Sequence, residues 1–141
     1  PANAAALREA FMSLTDDDAK EKVLFSLSQS RAPENTQFLL DRAKDRTLDN
    51  DLRKSALFWA GQGGAPAKDL GEIYDNAGDD TDLREQVIFT LSQRRDAPAV
   101  DKLIDIARKE PDRELRRQAI FWLSQSRDPR VAKLLEEIIN K

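Results

Sequence analysis

Four phenylalanines in this chain each stand four residues ahead of a glutamine: Phe25 and Gln29, Phe58 and Gln62, Phe89 and Gln93, Phe121 and Gln125. A phenyl ring offers apolar area, and a primary amide offers both donors and an acceptor. Side by side and repeated, the pair can hold an extended peptide. Glu85, Gln86 and Gln118 share that setting and add a carboxylate and two more amides. No comparable set of residues points to catalysis. The chain has no Cys and no His. That excludes disulfides, Cys/His zinc sites, haem histidines and every dyad built on imidazole or thiolate. There is no glycine-rich phosphate loop, no nucleophile elbow and no metal-spaced cluster. Neither a cofactor nor a metal is expected, and the expected function is non-catalytic.

Charge narrows the class of partner. The chain has 141 residues, with 23 Lys plus Arg against 26 Asp plus Glu, a net charge of −3. This acidic balance speaks against a nucleic-acid partner, which normally leaves a basic footprint. Hydrophobic residues make up 40% and charged residues 35%, a mixture that suits an elongated helical protein with much surface. No apolar run approaches the ~20 residues of a membrane span, so no membrane insertion is expected.

The Phe–Gln pairs mark a period of the whole chain. Val23-Leu-Phe-Ser-Leu-Ser-Gln29, Ala56-Leu-Phe-Trp-Ala-Gly-Gln62, Val87-Ile-Phe-Thr-Leu-Ser-Gln93 and Ala119-Ile-Phe-Trp-Leu-Ser-Gln125 start 33, 31 and 32 residues apart. Each is followed by a proline: Pro33, Pro66, Pro98 and Pro129. Three are preceded by Leu-Arg (Leu52-Arg53, Leu83-Arg84, Leu115-Arg116), with Ala19-Lys20 in the first copy. Each copy predicts two helices. In the third, Leu83, Val87, Ile88 and Leu91 form one stripe, and Val100, Leu103, Ile104 and Ala107 form the next. A proline can open the second helix because the first helical position needs no N–H. The pattern predicts nine helices, roughly over 3–14, 17–30, 33–45, 50–62, 66–77, 81–94, 98–109, 112–126 and 129–139. Neither stripe of a copy can be buried alone, so the copies must stack. Residues 3–14 take the place of a repeat's second helix, and their apolar residues spread around much of the wheel. The expectation is one domain over residues 1–141, a folded monomer, as part of a longer chain.

Helical geometry, with about 100° per residue, sets which residues face out. With Leu83 at zero, the core arc of Leu83, Val87, Ile88, Thr90 and Leu91 runs from about −20° to 140°, whereas Phe89 falls near 240°. Glu85, Gln86 and Gln93 cluster with Phe89. The same arithmetic turns Phe25, Phe58 and Phe121 away from their stripes and leaves Trp59 and Trp122 at the edge of the core. Stacking then makes a ladder of rings about 10 Å apart, with a glutamine ladder beside it. Two readings are open: a peptide-binding strip, or an inner core in which the rings touch and each Gln bonds a neighbouring backbone. Arg53, Arg84 and Arg116 fall towards the core and need acidic partners. The aspartates around Asp51, Asp82 and Asp112 are the candidates, in an inter-repeat ladder. Acids gather at the starts of these helices and Arg31, Arg94, Arg95 and Arg127 at their ends, as capping and dipole matching require.

The Leu-Arg, the apolar run and the following proline helix resemble HEAT repeats of the short bacterial kind, related to those of phycobilisome lyases. The resemblance covers residues 16–141. It implies an all-α, open right-handed α–α superhelix of about four and a half repeats, with the Leu-Arg helices lining the concave side. It further implies a protein- or peptide-binding scaffold, with a bilin chromophore lyase or lyase-like subunit as the alternative. Two departures stand out. The family's glycine near the end of the Leu-Arg helix is Gly61 in one copy but Ser28, Ser92 and Ser124 in the others. Gly63-Gly64 also replaces the arginines found elsewhere, which implies a local bend.

Overall fold

In the computed structural model of the chain, which describes residues 2–140, nine α-helices follow one another and no strand occurs among the described residues. They are α1 (Ala2–Ser13), α2 (Asp17–Ser28), α3 (Pro33–Lys44), α4 (Asn50–Gln62), α5 (Ala67–Asp75), α6 (Thr81–Ser92), α7 (Ala97–Lys109), α8 (Arg113–Leu123) and α9 (Pro129–Ile139). All nine predicted helices are present, and the fold is the expected all-α solenoid.

Local chemistry fixes the starts. Asp16, Asp49, Asp80, Asp112 and Asp128 accept backbone N–H groups in the first turns of α2, α4, α6, α8 and α9, each cap contributing about 1 kcal/mol. Pro33 and Pro129 are the first residues of α3 and α9, Pro98 is the second of α7, and Pro66 caps α5.

The ends differ from the sequence expectation, and a hydroxyl is the reason. The helices α2, α6 and α8 were expected to run through Gln29, Gln93 and Gln125, but stop at Ser28, Ser92 and Leu123. Ser28, Ser92 and Ser124 donate to the carbonyls of Phe25, Phe89 and Phe121 at 2.5–2.6 Å. In all three helices the N–H of the glutamine turns to the carbonyl three residues back, on Ser26, Thr90 or Trp122. In α4 that serine is Gly61, and the helix runs on to Gln62.

The helices form two layers. In the inner layer α2, α4, α6 and α8 pack side by side without a break. In the outer layer α1 touches α3 and α5 touches α7, but α3 barely meets α5, and α7 barely meets α9. Where one layer stays closed and the facing layer opens, the closed one is the inside of the curve. The Leu-Arg helices therefore line the concave side. The core lies between the layers, where Leu24, Leu57, Leu70, Ile88, Leu91 and Leu115 are 0–2% exposed.

The openings follow a two-repeat period. The tightest successive pairs are α3 with α4 and α7 with α8, whereas α4 with α5 and α8 with α9 are the loosest. The bend expected at Gly63-Gly64 is thus not a local event, because the same opening recurs at α9 without a glycine pair. Gly64 does adopt a left-handed φ of 97°, which glycine tolerates without steric cost. Ion pairs span the outer layer from α5 to α9: Lys102–Asp75 at 2.7 Å, Arg108–Glu137 at 3.0 Å, and Arg130–Asp101. In the inner layer α4 and α6 approach closely over Gly61, where a Cβ would collide with Thr90 Cγ2.

Candidate functional site

The ring positions of the inner helices form one continuous aromatic row. Phe25 meets Trp59 at 4.9 Å between centroids and 72° between planes, and Trp59 meets Phe58 at 5.0 Å. Phe58 stacks on Phe89 at 5.9 Å and 23°. Phe89 then meets Trp122 at 5.5 Å, and Trp122 meets Phe121 at 5.0 Å. These edge-to-face and stacked geometries lie in the favourable range, each contributing ~0.5–1.5 kcal/mol beyond burial. The row is nevertheless open to solvent: Phe25 is 46%, Phe89 36% and Phe121 56% exposed, and Phe58 and both tryptophans are half-buried.

The row has a feature of each sequence reading. The rings touch, as an inner core would, and they remain an exposed strip. Trp59 and Trp122 are the residues that sequence reasoning left out of the site. Half-buried at the edge of the core, as expected, they also bridge one repeat's Phe to the next, so the row is continuous and not a set of rungs 10 Å apart. The Phe-Trp dipeptides at 58–59 and 121–122 were the available signal.

The glutamines behave less uniformly. Gln29, Gln93 and Gln125 donate to the hydroxyls of Ser28, Ser92 and Ser124 at 3.2–3.3 Å, so they bond a side chain and not a neighbouring backbone. Gln62 follows Gly61 and has no hydroxyl to bond; it is exposed. Gln93 and Gln125 line a hollow of about 860 Å³ at the C-terminal edge, together with Arg94, Arg95 and Arg127. Gln86 donates to Thr90 Oγ1 at 3.2 Å.

Five of the predicted residues are brought together in one place. Glu85, Gln86, Phe89, Gln118 and Phe121 line a hollow of about 400 Å³ between α6 and α8, joined by Trp122, Asp82 and Lys54. Another hollow of about 400 Å³ lies on the outer side, in the gap between α3 and α5. There the buried Arg53 pairs with the partly exposed Asp80 at 3.2 Å.

Acidic residues also form a row. Asp18, Asp51, Asp82 and Glu114 are exposed in the first turns of the inner helices, seven residues ahead of each Phe and so on its side of the helix. At the other edge the inner helices carry no basic residue in their last turns. The arginines expected there stand in the following loops, too late to match the helix dipole. Arg94 pairs with Asp96 and donates to the carbonyl of Ala65.

The core-facing arginines fix the inner helices. Arg53, 7% exposed, donates to Ala43 O at 3.1 Å and to Asp80 at 3.2 Å, while the other oxygen of Asp80 caps α6. Arg84 pairs with the buried Glu110, which also accepts the hydroxyl of Tyr74 and the N–H of Asp112. Burial, and then the hydrogen bond to Glu110, push the Tyr74 phenol above its usual range. The ladder is inter-repeat as expected, with acids two residues from Asp82 and Asp112. Arg116 makes no ion pair among the described residues.

The model for HEAT repeats matches residues 67–141, from the first residue of α5 onward. No curated protein matches the chain. Such a helical repeat fold is a scaffold of the kind often used for protein interaction, and is typically non-catalytic. Among the described residues no helix is long and apolar enough to cross a membrane. With more than half of its length matched and nine stacked helices in two layers, the chain belongs to the HEAT-repeat family.

Proposed function

We propose that the chain is a non-catalytic scaffold that binds an extended segment of a partner protein along its inner layer. The continuous, half-exposed aromatic row carries this reading. Apolar area left open over four successive helices is characteristic of a contact surface, and aromatic anchors dominate binding energies. The acidic row beside it would fix the direction of the bound segment, since one side of the groove attracts cations.

A peptide-display selection on the intact chain tests the reading. Selected sequences should lose binding to a Phe89→Ala/Phe121→Ala double variant that keeps its helical circular dichroism. Ligands that bind the variant as tightly as the parent would place the contact surface elsewhere.

A further inference from the structure

We propose that the hollow between α6 and α8 seats an arginine side chain of the bound segment. This rests on the groove reading above and names the chemistry of its anchor. Asp82 and Glu85 both line the hollow. They stand seven and four residues ahead of Phe89, so all three share one side of α6. Neither carboxylate makes an ion pair among the described residues. Phe89, Phe121 and Trp122 supply ring surface in the same hollow, and Gln86 and Gln118 supply amide oxygens. Carboxylates beside aromatic faces are the surroundings that a cation favours: the rings attract it through their quadrupoles and the carboxylates through charge. A guanidinium fits better than an ammonium, because its plane can stack on a ring while its edge donates two bonds to one carboxylate.

The first ring cluster lacks this combination. There Glu21 accepts the hydroxyl of Ser55 at 2.8 Å, which holds one oxygen of its carboxylate. Lys54 is the one cation lining the α6–α8 hollow. It makes no ion pair among the described residues, and a bound arginine would sit against its repulsion. The position four residues before Phe reads Glu21, Lys54, Glu85, Arg117 along the stack, and Arg117 is paired with Glu114.

Both tryptophans of the chain, Trp59 and Trp122, lie in the row, so intrinsic emission reports binding there directly. The probes are an acetylated, amidated Gly/Ser peptide carrying arginines, its citrulline twin of the same shape without charge, and its glutamate twin. A Trp59→Phe background leaves Trp122 as the reporter. The arginine peptide should shift the emission saturably, and the citrulline twin should bind about tenfold more weakly. Glu85→Gln and Asp82→Asn should weaken the arginine peptide and leave the citrulline twin unchanged, whereas Lys54→Met should tighten the arginine peptide. Equal binding of arginine and citrulline peptides, binding of the glutamate twin, or no emission change with any of them at millimolar concentration would overturn the seat. Display-selected ligands without arginine that still need Phe89 and Phe121 would discard the arginine seat and keep the groove.

Discussion

The helices α1–α4 and α5–α8 are the same four-helix arrangement made twice, and the comparison separates what the stack requires from what each copy does with it. Both copies keep a Phe–Trp–Phe cluster on the inner side: Phe25, Trp59 and Phe58 in the first, Phe89, Trp122 and Phe121 in the second. In both, the Trp helix has Ala two residues before the Phe (Ala56, Ala119) and its neighbour has Val there (Val23, Val87). Bulk on one side of a helix is matched by its removal on another. The charged groups diverge. In the first copy Glu21 accepts a hydrogen bond from Ser55, whereas its counterpart Glu85 accepts none from a side chain among the described residues. Packing holds the ring framework constant, and the polar positions around it are where the copies differ in chemistry.

The largest effect should come from the layer beneath the rings. Leu91 is fully buried, and Leu91→Ala should cost ~2–5 kcal/mol in urea melts. Phe89 sits two residues away and is 36% exposed. Phe89→Ala should cost about 1–2 kcal/mol, mostly from its contacts with Phe58 and Trp122. A loss for Phe89 equal to that for Leu91 would make the row part of the core and erase the distinction between framework and surface.

The junction between the copies comes next. Gly61→Ala forces a methyl into Thr90 across α4 and α6, and should cost about 1–3 kcal/mol. Adding Thr90→Ser removes the opposing Cγ2 and should restore part of that loss. Ser124, which replaces Gly61 in the second copy, is exposed, and Ser124→Ala should cost under about 1 kcal/mol. No rescue by Thr90→Ser would mean that Gly61 is needed for a reason other than this contact.

Tyr74, the chain's one tyrosine, tests the clamp found in the second copy alone. Its phenol titrates above the ordinary value of 10.0, so the folded state holds its proton more tightly than the unfolded state does. The resulting stabilisation is complete below pH 10 and is lost as pH rises towards the folded value. Phenolate absorbance should appear near pH 10 in urea and at clearly higher pH in the folded chain. Coincident titrations would show that Glu110 and burial do not act on this group.

The smallest effects concern the two glutamates. Glu85→Gln should change stability by less than about 0.5 kcal/mol. Glu21→Gln should cost about 0.5–1.5 kcal/mol through the weakened bond from Ser55. A large loss for Glu85→Gln would reveal that its carboxylate has structural work, against the contrast drawn between the copies.

The helices and the facing of the four Phe residues were legible in the sequence because both follow from a stripe repeated at one period. The ends were less legible, since a serine hydroxyl competing for a carbonyl leaves no mark on the hydrophobic pattern. The bridging role of Trp59 and Trp122 was hidden for a different reason. A helical wheel places a residue on its own helix, and a tryptophan at the edge of the core arc reaches across to the neighbouring one. The true partners of Arg53 and Arg84, Asp80 and Glu110, lie two residues from acids already singled out, and only the stacking of repeats selects between them.

The break between α3 and α5 has a mechanical consequence. A row of helices tied along one side and free along the other flexes like a leaf hinged at its inner edge. Bending there would change the width of the outer gap while the inner contact of Gly61 against Thr90 acts as the pivot. Compliance is then concentrated at the unbridged junction, while the Lys102–Asp75 pair stiffens α5 against α7. Because the chain has no native cysteine, spin labels can be placed cleanly at Gln37 and Glu72 across the gap, and at Lys68 and Asp101 across the bridged pair. The first distance distribution should be the broader, and the spacing of the rings along the groove would then adjust to the bound segment by elastic deformation, with no helix required to unfold.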